Sequence, residues 1–382
     1  MAAESTFRSI ADYEDYCRRE VFSPGAFAFS YGAYNDPNWT TNTNNVAGFL
    51  ALKLRPRVLV DGSDRNLSTT VLGQEISFPI AIGPAAEPPH LEAELAAARA
   101  AGKAKTLMVL ECHSTYGFED VAANATGPRW YQMYVHKDRD IDEFLVRRAY
   151  ETGYSALMLT VDNVAAPTWR RFRVVNPAVD RNSMPISAWS RRHSSAANLA
   201  GLNKDPVPSL QDLRNMLDSS VSWSDVDWLR SIAKVPIVVK GIQTAEDARL
   251  CAEHGVDGLV VSNHGGRFQQ GARGTIEALP EIVDAVGDRL EVYLDGGIRL
   301  GTDVLKALAL GARAVFIGRA YHWGLAAEGE VGVSRVLEIL RYELESAMGL
   351  CGVSDIRRVD RSLVAASVPS TIHPRRPEAA ES

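Results

Sequence analysis

Eight short apolar runs separated by helix-like stretches constrain this chain more than any other feature in it. They are Ile80–Pro84, Leu107–Leu110, Trp130–Val135, Ala156–Asp162, Pro236–Lys240, Gly258–Ser262, Glu291–Asp295 and Ala314–Gly318. Each is rich in Val, Ile and Leu and nearly continuous. That pattern fits parallel strands covered on both faces; a strand with one wet face would alternate. Between the runs, Leu91–Ala104 is Ala/Glu-rich and favours helix. Ile141–Thr152 carries helical apolar spacing at Ile141, Phe144, Leu145 and Ala149. Thr244-Ala-Glu-Asp opens like a capping box, and Thr302–Leu310 and Val333–Met348 are amphipathic. Eight β-then-α units predict an α/β chain closed into a (β/α)8, or TIM, barrel. A doubly wound sheet is the alternative, though it would rarely use eight such regular units.

At 382 residues the chain can bury such a barrel without staples. Residues 78–365 would form it. Residues 1–77 read as a helical N-terminal cap followed by an extended segment. Residues 174–221, rich in Ser, Asn, Pro and Arg, interrupt the alternation after the fourth strand. A long irregular insertion on the active-site face of a barrel reads as a lid. Residues 366–382 read as a flexible tail. The net charge of −6 argues against a nucleic-acid partner. Cys17, Cys112, Cys251 and Cys351 lie too far apart for a zinc motif and outline no disulfide framework, so no metal is expected and reduced thiols in a cytoplasmic protein are. No apolar stretch reads as a signal sequence or a membrane span.

Barrel enzymes place their catalytic groups at the C-terminal ends of the strands. Those positions hold a polar set here: Gln132 and Tyr134 on the third strand, Thr160 and Asp162 on the fourth, and Lys240 on the fifth. The sixth ends in Ser262-Asn-His-Gly-Gly-Arg267, the seventh in Asp295-Gly-Gly-Ile-Arg299 and the eighth in Gly318-Arg319. Each has a bland explanation: Tyr134 as core, Asp162 as a turn cap, Lys240 as a solvated strand end, His264 as a capping residue. Their joint occurrence at strand ends points to a site. His264 suits a base at neutral pH, and Arg267 offers a planar fork for a carboxylate. The loops after the last two strands form the usual phosphate site of such barrels. Gly296, Gly297 and Gly318 let backbone N–H groups approach an anion there, with Arg299 and Arg319 adding charge.

These residues resemble the FMN-dependent α-hydroxy-acid oxidase and dehydrogenase family. The resemblance runs from about residue 8 to 365 and is carried by Leu54-Arg-Pro-Arg-Val-Leu, Leu72-Gly, Leu159-Thr-Val-Asp, Val239-Lys-Gly, Ser262-Asn-His-Gly-Gly-Arg, Leu294-Asp-Gly-Gly-Ile-Arg and Phe316-Ile-Gly-Arg. It implies FMN as cofactor and oxidation of a hydroxy acid, with electrons leaving to oxygen or another acceptor. It further implies His264 as base, Asp162 as the group that stabilises the imidazolium, Arg267 on the substrate carboxylate and Tyr134 on the substrate oxygen. Lys240 would stabilise negative charge on the reduced flavin, and Gln132 and Thr160 would fix its ring. Arg299, Gly297, Gly318 and Arg319 would hold the phosphate. Ala85, Ala86, Glu111 and Asp295 would also line the cofactor site. Members of this family often form tetramers.

The chain departs from the family on the substrate side. Phe29 stands where the family has a Tyr, with Tyr31 as a substitute for it. The loop Ala85-Ala-Glu-Pro-Pro-His is about two residues short. A small Ser pair is replaced by Glu111-Cys112, and the next, usually aromatic or apolar, position is His113. The Arg170–Arg171 pair is displaced by about two residues, leaving Arg171, or alternatively Arg170, as a second carboxylate clamp. Glu111 would oppose an anionic flavin unless it is protonated, turned to solvent or paired with a base. The resulting expectation is a hydroxy acid other than glycolate or lactate, contacted by His113. The alternatives are an FMN barrel with altered chemistry (isomerisation or oxidative decarboxylation) and a non-catalytic paralogue.

Overall fold

A computed structural model describes residues 7–22, 40–85, 88–163, 197–199, 201–203, 212 and 215–366. The order of elements begins with α1 (Ile10–Tyr16), which runs into one π-helical turn, then α2 (Thr40–Ala51), β1 (Leu52–Leu54), β2 (Thr69–Val71) and β3 (Gln74–Ile76). The repeating units follow: β4 (Ile80–Ile82), α3 (Ala93–Lys103), β5 (Met108–Leu110), α4 (Phe118–Asn124), β6 (Arg129–Met133), α5 (Arg139–Glu151) and β7 (Ala156–Thr160). After these come α6 (Trp223–Ile232), β8 (Ile237–Ile242), α7 (Ala245–Glu253), β9 (Gly258–Val261), α8 (Thr275–Val286), β10 (Glu291–Asp295), α9 (Gly301–Ala309), β11 (Val315–Ile317), α10 (Arg319–Leu350) and β12 (Val364–Ala366).

Strands β4 to β11 are parallel, each beside its neighbour in sequence, and β11 returns to pair with β4 through Val315 and Ile80. The barrel is closed, so no strand edge is left open. Its interior is filled by Trp130, Tyr293 and Phe316, whose ring centroids lie 5.6–5.9 Å apart, together with Met158, Val109, Val238 and Val260. The β2–β3 hairpin sends Val71 and Ile76 into this same cluster. Gln74 accepts from Ser155 just before β7, and Glu291 at the start of β10 accepts from the Leu72 amide. The hairpin therefore closes the N-terminal end of the barrel and leaves the opposite end for the site. Strand β1 pairs with β12, which joins the segment before the barrel to the one after it.

The helices start where their caps dictate. The Thr244 hydroxyl accepts from the Asp247 amide at the start of α7. The helix expected over Val333–Met348 is the second half of a longer one. Glu328 and Gly329 leave helical geometry, Gly329 at φ 61°, so α10 is two helices joined at a kink. Its first half is buried at Tyr321, His322, Trp323 and Leu325, and a helix wet on no side shows little amphipathic pattern. Tyr31, Ala86 and Arg171 lie outside the described residues. So do most of the 174–221 insertion and the chain beyond Ala366. All four cysteines are buried and unbridged. Among the described residues, no helix is long and apolar enough to cross a membrane.

Candidate active site

The polar strand ends converge on one mouth of the barrel. The Asp162 Oδ1 faces His264 Nδ1 at 2.9 Å. His264 sits in the left-handed region at φ 56°, which a β-carbon tolerates only when its surroundings enforce it. Three contacts enforce it here. The His264 amide donates to the Ser262 hydroxyl at 3.1 Å. The Gly266 amide donates to Asn263 Oδ1 at 2.9 Å. The Asn263 and Asn45 amides donate to each other at 2.8 and 2.9 Å, tying the loop to α2. With Nδ1 turned to Asp162, the ring directs Nε2 away from it, where a substrate proton can be taken. Phe268 packs edge-on against the imidazole at 4.6 Å.

Lys240 joins the same group. Its ammonium lies 3.3 Å from Asp295 Oδ2 and donates to Ser262 Oγ at 3.1 Å. Burial works against its charge, but Asp295 and Asp162 overcome that, so Lys240 is held above its ordinary value and stays a cation. Burial pushes the Asp162 carboxyl up, and the facing His264 and Lys240 more than reverse it, so Asp162 is held below the usual carboxylate value. His264 moves the other way. Burial lowers it, Asp162 opposes part of that, and Lys240 lowers it further, so its imidazole is neutral and ready to accept a proton.

Gln132 and Thr160 form a neighbouring shelf. The Gln132 amide donates to Thr160 Oγ1 at 2.9 Å, and its Oε1 faces the Cys112 amide at 3.4 Å. Burial holds the Tyr134 phenol well above its ordinary value, and Cys112, Glu111 and Asp162 add to this, so the phenol keeps its proton and can donate it. Glu111 neither faces solvent nor stands alone. It is 6% exposed; its Oε2 accepts from the His113 amide at 2.7 Å, and its Oε1 meets His113 Nδ1 at 2.9 Å. With Cys112, the ligand-bearing atoms of these three residues lie within 4.8 Å of one another, a grouping that the spacing of the cysteines gave no hint of.

The last two strand ends provide the cradle. Beyond Gly318 a β-carbon would meet nothing within 4 Å, so there is open space in front of the start of α10. Arg319 donates to the Gly265 carbonyl at 2.9 Å, linking that cradle to the His264 loop. Arg299 lies with its guanidinium 4.6 Å over the Trp323 ring and 3.9 Å from Glu14. Gly297 meets a further requirement: a β-carbon there would come within 2.5 Å of the Asn45 carbonyl, so the close seating of α2 demands glycine. Sequence reading missed three participants: Asn45 as a latch, and the buried Glu94 and His322. His322 is buried, and its imidazole is depressed to about 3 by that burial and by Arg267 and Arg319. Its place in the first turn after the eighth strand is the one cue that could have flagged it.

This arrangement fits a flavin nucleotide. Asp295 Oδ1 and Asp162 Oδ2 are buried without a hydrogen-bond partner among the described residues, which leaves acceptors for ligand hydroxyls. A buried cation, an amide and a hydroxyl lie beside them, and the open Gly318 turn is followed directly by Arg319. The family described as FMN-dependent dehydrogenase matches residues 18–366. The chain is 41% identical over 361 residues to 2-hydroxyacid oxidase 1 of Mus musculus, covering 93% of this chain and 95% of that protein. It is also 41% identical over 374 residues to an L-lactate oxidase of Nostoc, covering 95% and 100%. A soluble mutant of the membrane-associated (S)-mandelate dehydrogenase of Pseudomonas putida superposes with a TM-score of 0.80 at 31% identity, covering 94% of this chain and all of that one. The barrel and its site thus define a flavin-dependent oxidoreductase. The chain belongs to the FMN-dependent dehydrogenase family, with FMN as its cofactor.

Proposed function

We propose that this enzyme oxidises a 2-hydroxy acid to the 2-oxo acid through the His264–Asp162 pair, with a substrate other than glycolate or lactate. The observation that carries the reading is the 2.9 Å contact of Asp162 with His264 Nδ1 beside the Lys240 cation. FMN, when bound, accepts the two electrons that the substrate gives up, and oxygen or another acceptor takes them onward. His264 takes the substrate proton at Nε2, and Asp162 stabilises the imidazolium that results. Arg267 binds the carboxylate, assisted by Arg171 and Tyr31, while Tyr134 donates to the substrate oxygen. Lys240 offsets negative charge at the cofactor ring. Gln132, Thr160, Ala85 and Ala86 would line the ring, with Glu111 beside it through its pairing with His113, and Asp295, Gly297, Arg299, Gly318 and Arg319 would hold the ribityl-phosphate end. The protein is a cytoplasmic homo-oligomer, a tetramer by the family's habit.

The test is the visible spectrum of the purified protein under anaerobic addition of a panel of 2-hydroxy acids. Bleaching of the flavin bands by one acid, faster than by glycolate or lactate, is the expected result. Fastest bleaching by either of those two would refute the altered specificity. Bands that persist with every acid would refute the hydroxy-acid reaction. Light scattering gives the oligomeric state separately.

A further inference from the structure

A second imidazole–carboxylate pair stands across the mouth from the first. His113 is 7% exposed and its ring lies 5.9 Å from that of Tyr134 at an interplanar angle of 28°. Tyr134 thus stands between the His113–Glu111 pair and Asp162, and both Glu111 and Asp162 act on its phenol. His113 follows the second barrel strand and Arg267 the sixth. In a closed eight-stranded barrel these loops are diametrically opposed. On the reading given under Proposed function, a substrate with its carboxylate at Arg267 and its hydroxyl at His264 and Tyr134 extends its carbon chain towards His113.

The electrostatics there select among chain ends. Glu111 fixes Nδ1 of His113, so Nε2 lies on the opposite edge of the ring. Glu94 is buried close by, its Oε1 accepting from the Thr115 amide at 2.9 Å. Burial is the main cause that raises Glu94 to about 7, with Glu111 adding to it. Tyr321, on the first half of α10, feels both carboxylates. The Glu111 carboxylate in contact with the imidazole disfavours an anionic chain end. An apolar end would desolvate the imidazole with no hydrogen bond in return. A hydroxyl fits either state of the ring, donating to a neutral Nε2 or accepting from a protonated one.

We propose that the pocket formed by His113, Glu111 and Tyr134 reads a hydroxyl on the substrate's carbon chain, so that the substrate is a polyhydroxylated 2-hydroxy acid, the smallest being 2,3-dihydroxypropanoate. The test compares 2,3-dihydroxypropanoate, 2-hydroxybutanoate of equal heavy-atom count, and 2-hydroxybutanedioate by anaerobic flavin bleaching of the holoenzyme. Calorimetric binding of the non-oxidisable pair 3-hydroxypropanoate and butanoate accompanies it. The dihydroxy acid is expected to exceed the other two in kcat/KM by about tenfold or more, and 3-hydroxypropanoate to bind more tightly than butanoate. His113→Phe should collapse both ratios, whereas His113→Gln, which keeps a hydrogen-bonding group, should retain part of them. Preference for 2-hydroxybutanoate or for the diacid overturns the proposal, as does a His113→Phe enzyme with unchanged ratios. Dialysis against a chelator should leave both ratios intact; their loss together with a stoichiometric metal ion would overturn the proposal in favour of a metal site. If no acid bleaches the flavin, the hydroxy-acid reaction fails, while the binding pair still decides whether His113 reads a hydroxyl.

Discussion

Replacing Asp162 by Asn keeps the shape of the His264 partner and removes its charge. The contact is 2.9 Å long and buried, in the range of a charge-assisted hydrogen bond, which contributes about 1.5–3 kcal/mol. That stabilisation is greatest once His264 has gained a proton, so its loss falls on the transition state. At 1.36 kcal/mol per decade, proton abstraction should slow about 10- to 150-fold. The sign of the pH effect follows from the charges. Asp162 raises the basicity of His264, and Lys240 with burial lowers it. Without Asp162 the imidazole loses its proton at lower pH, so the acid limb of the rate profile should move towards acid while the plateau falls. Rapid mixing of holoenzyme with its substrate without oxygen, followed at the flavin band across pH, measures both effects. A plateau within about twofold of the parent, or an acid limb shifted towards alkaline pH, would refute the argument.

Lys240→Met leaves Asp295 without its cation and is expected to slow anaerobic bleaching about 10²- to 10³-fold, the cost of removing one preorganised charge. Gly241→Ala places a β-carbon 2.7 Å from Asp162 Cβ at a φ of 117°. Thermal unfolding should show a loss of about 1–3 kcal/mol, with a matching loss of activity as the dyad shifts. Glu94 is raised to about 7 by burial, so its contribution to stability is full below its unfolded value and is lost as pH rises through 7. Glu94→Gln should therefore raise the melting temperature at pH 9, by the equivalent of up to about 3 kcal/mol, and change little at pH 4; an equal effect at both would count against it. Trp130→Ala, opening a hole among Tyr293 and Phe316, should cost about 3–5 kcal/mol in denaturant unfolding.

The barrel was legible because parallel strands buried on both faces print themselves as unbroken apolar runs. The observed β8 and β9 begin within one residue of the runs at Pro236 and Gly258. The strand-end polar groups were legible for a related reason: a Lys or Asp closing an apolar run has no packing role to explain it. What escaped notice depends on contacts distant in sequence. Asn45 and Asn263 meet across 218 positions, and an amide in a helix otherwise poor in charge carries no periodic mark. Glu111 could be read as facing the cofactor, the solvent or a base. Only the turn that brings its carboxylate back onto His113 decides among these. The α10 kink hid its first half, since a segment buried all round lacks the one-sided pattern that betrays a helix.

The return of β11 to β4 has a consequence for how the protein is made. Ile80 leaves the ribosome long before Val315, its register partner on β11, exists. Through most of synthesis the nascent sheet therefore carries two bare edges, each offering unpaired amides and carbonyls to any other extended chain. The last barrel strand to emerge is the one that seals both. An interruption of translation shortly before residue 315 should thus yield a sticky fragment, where an interruption shortly after 350 should not.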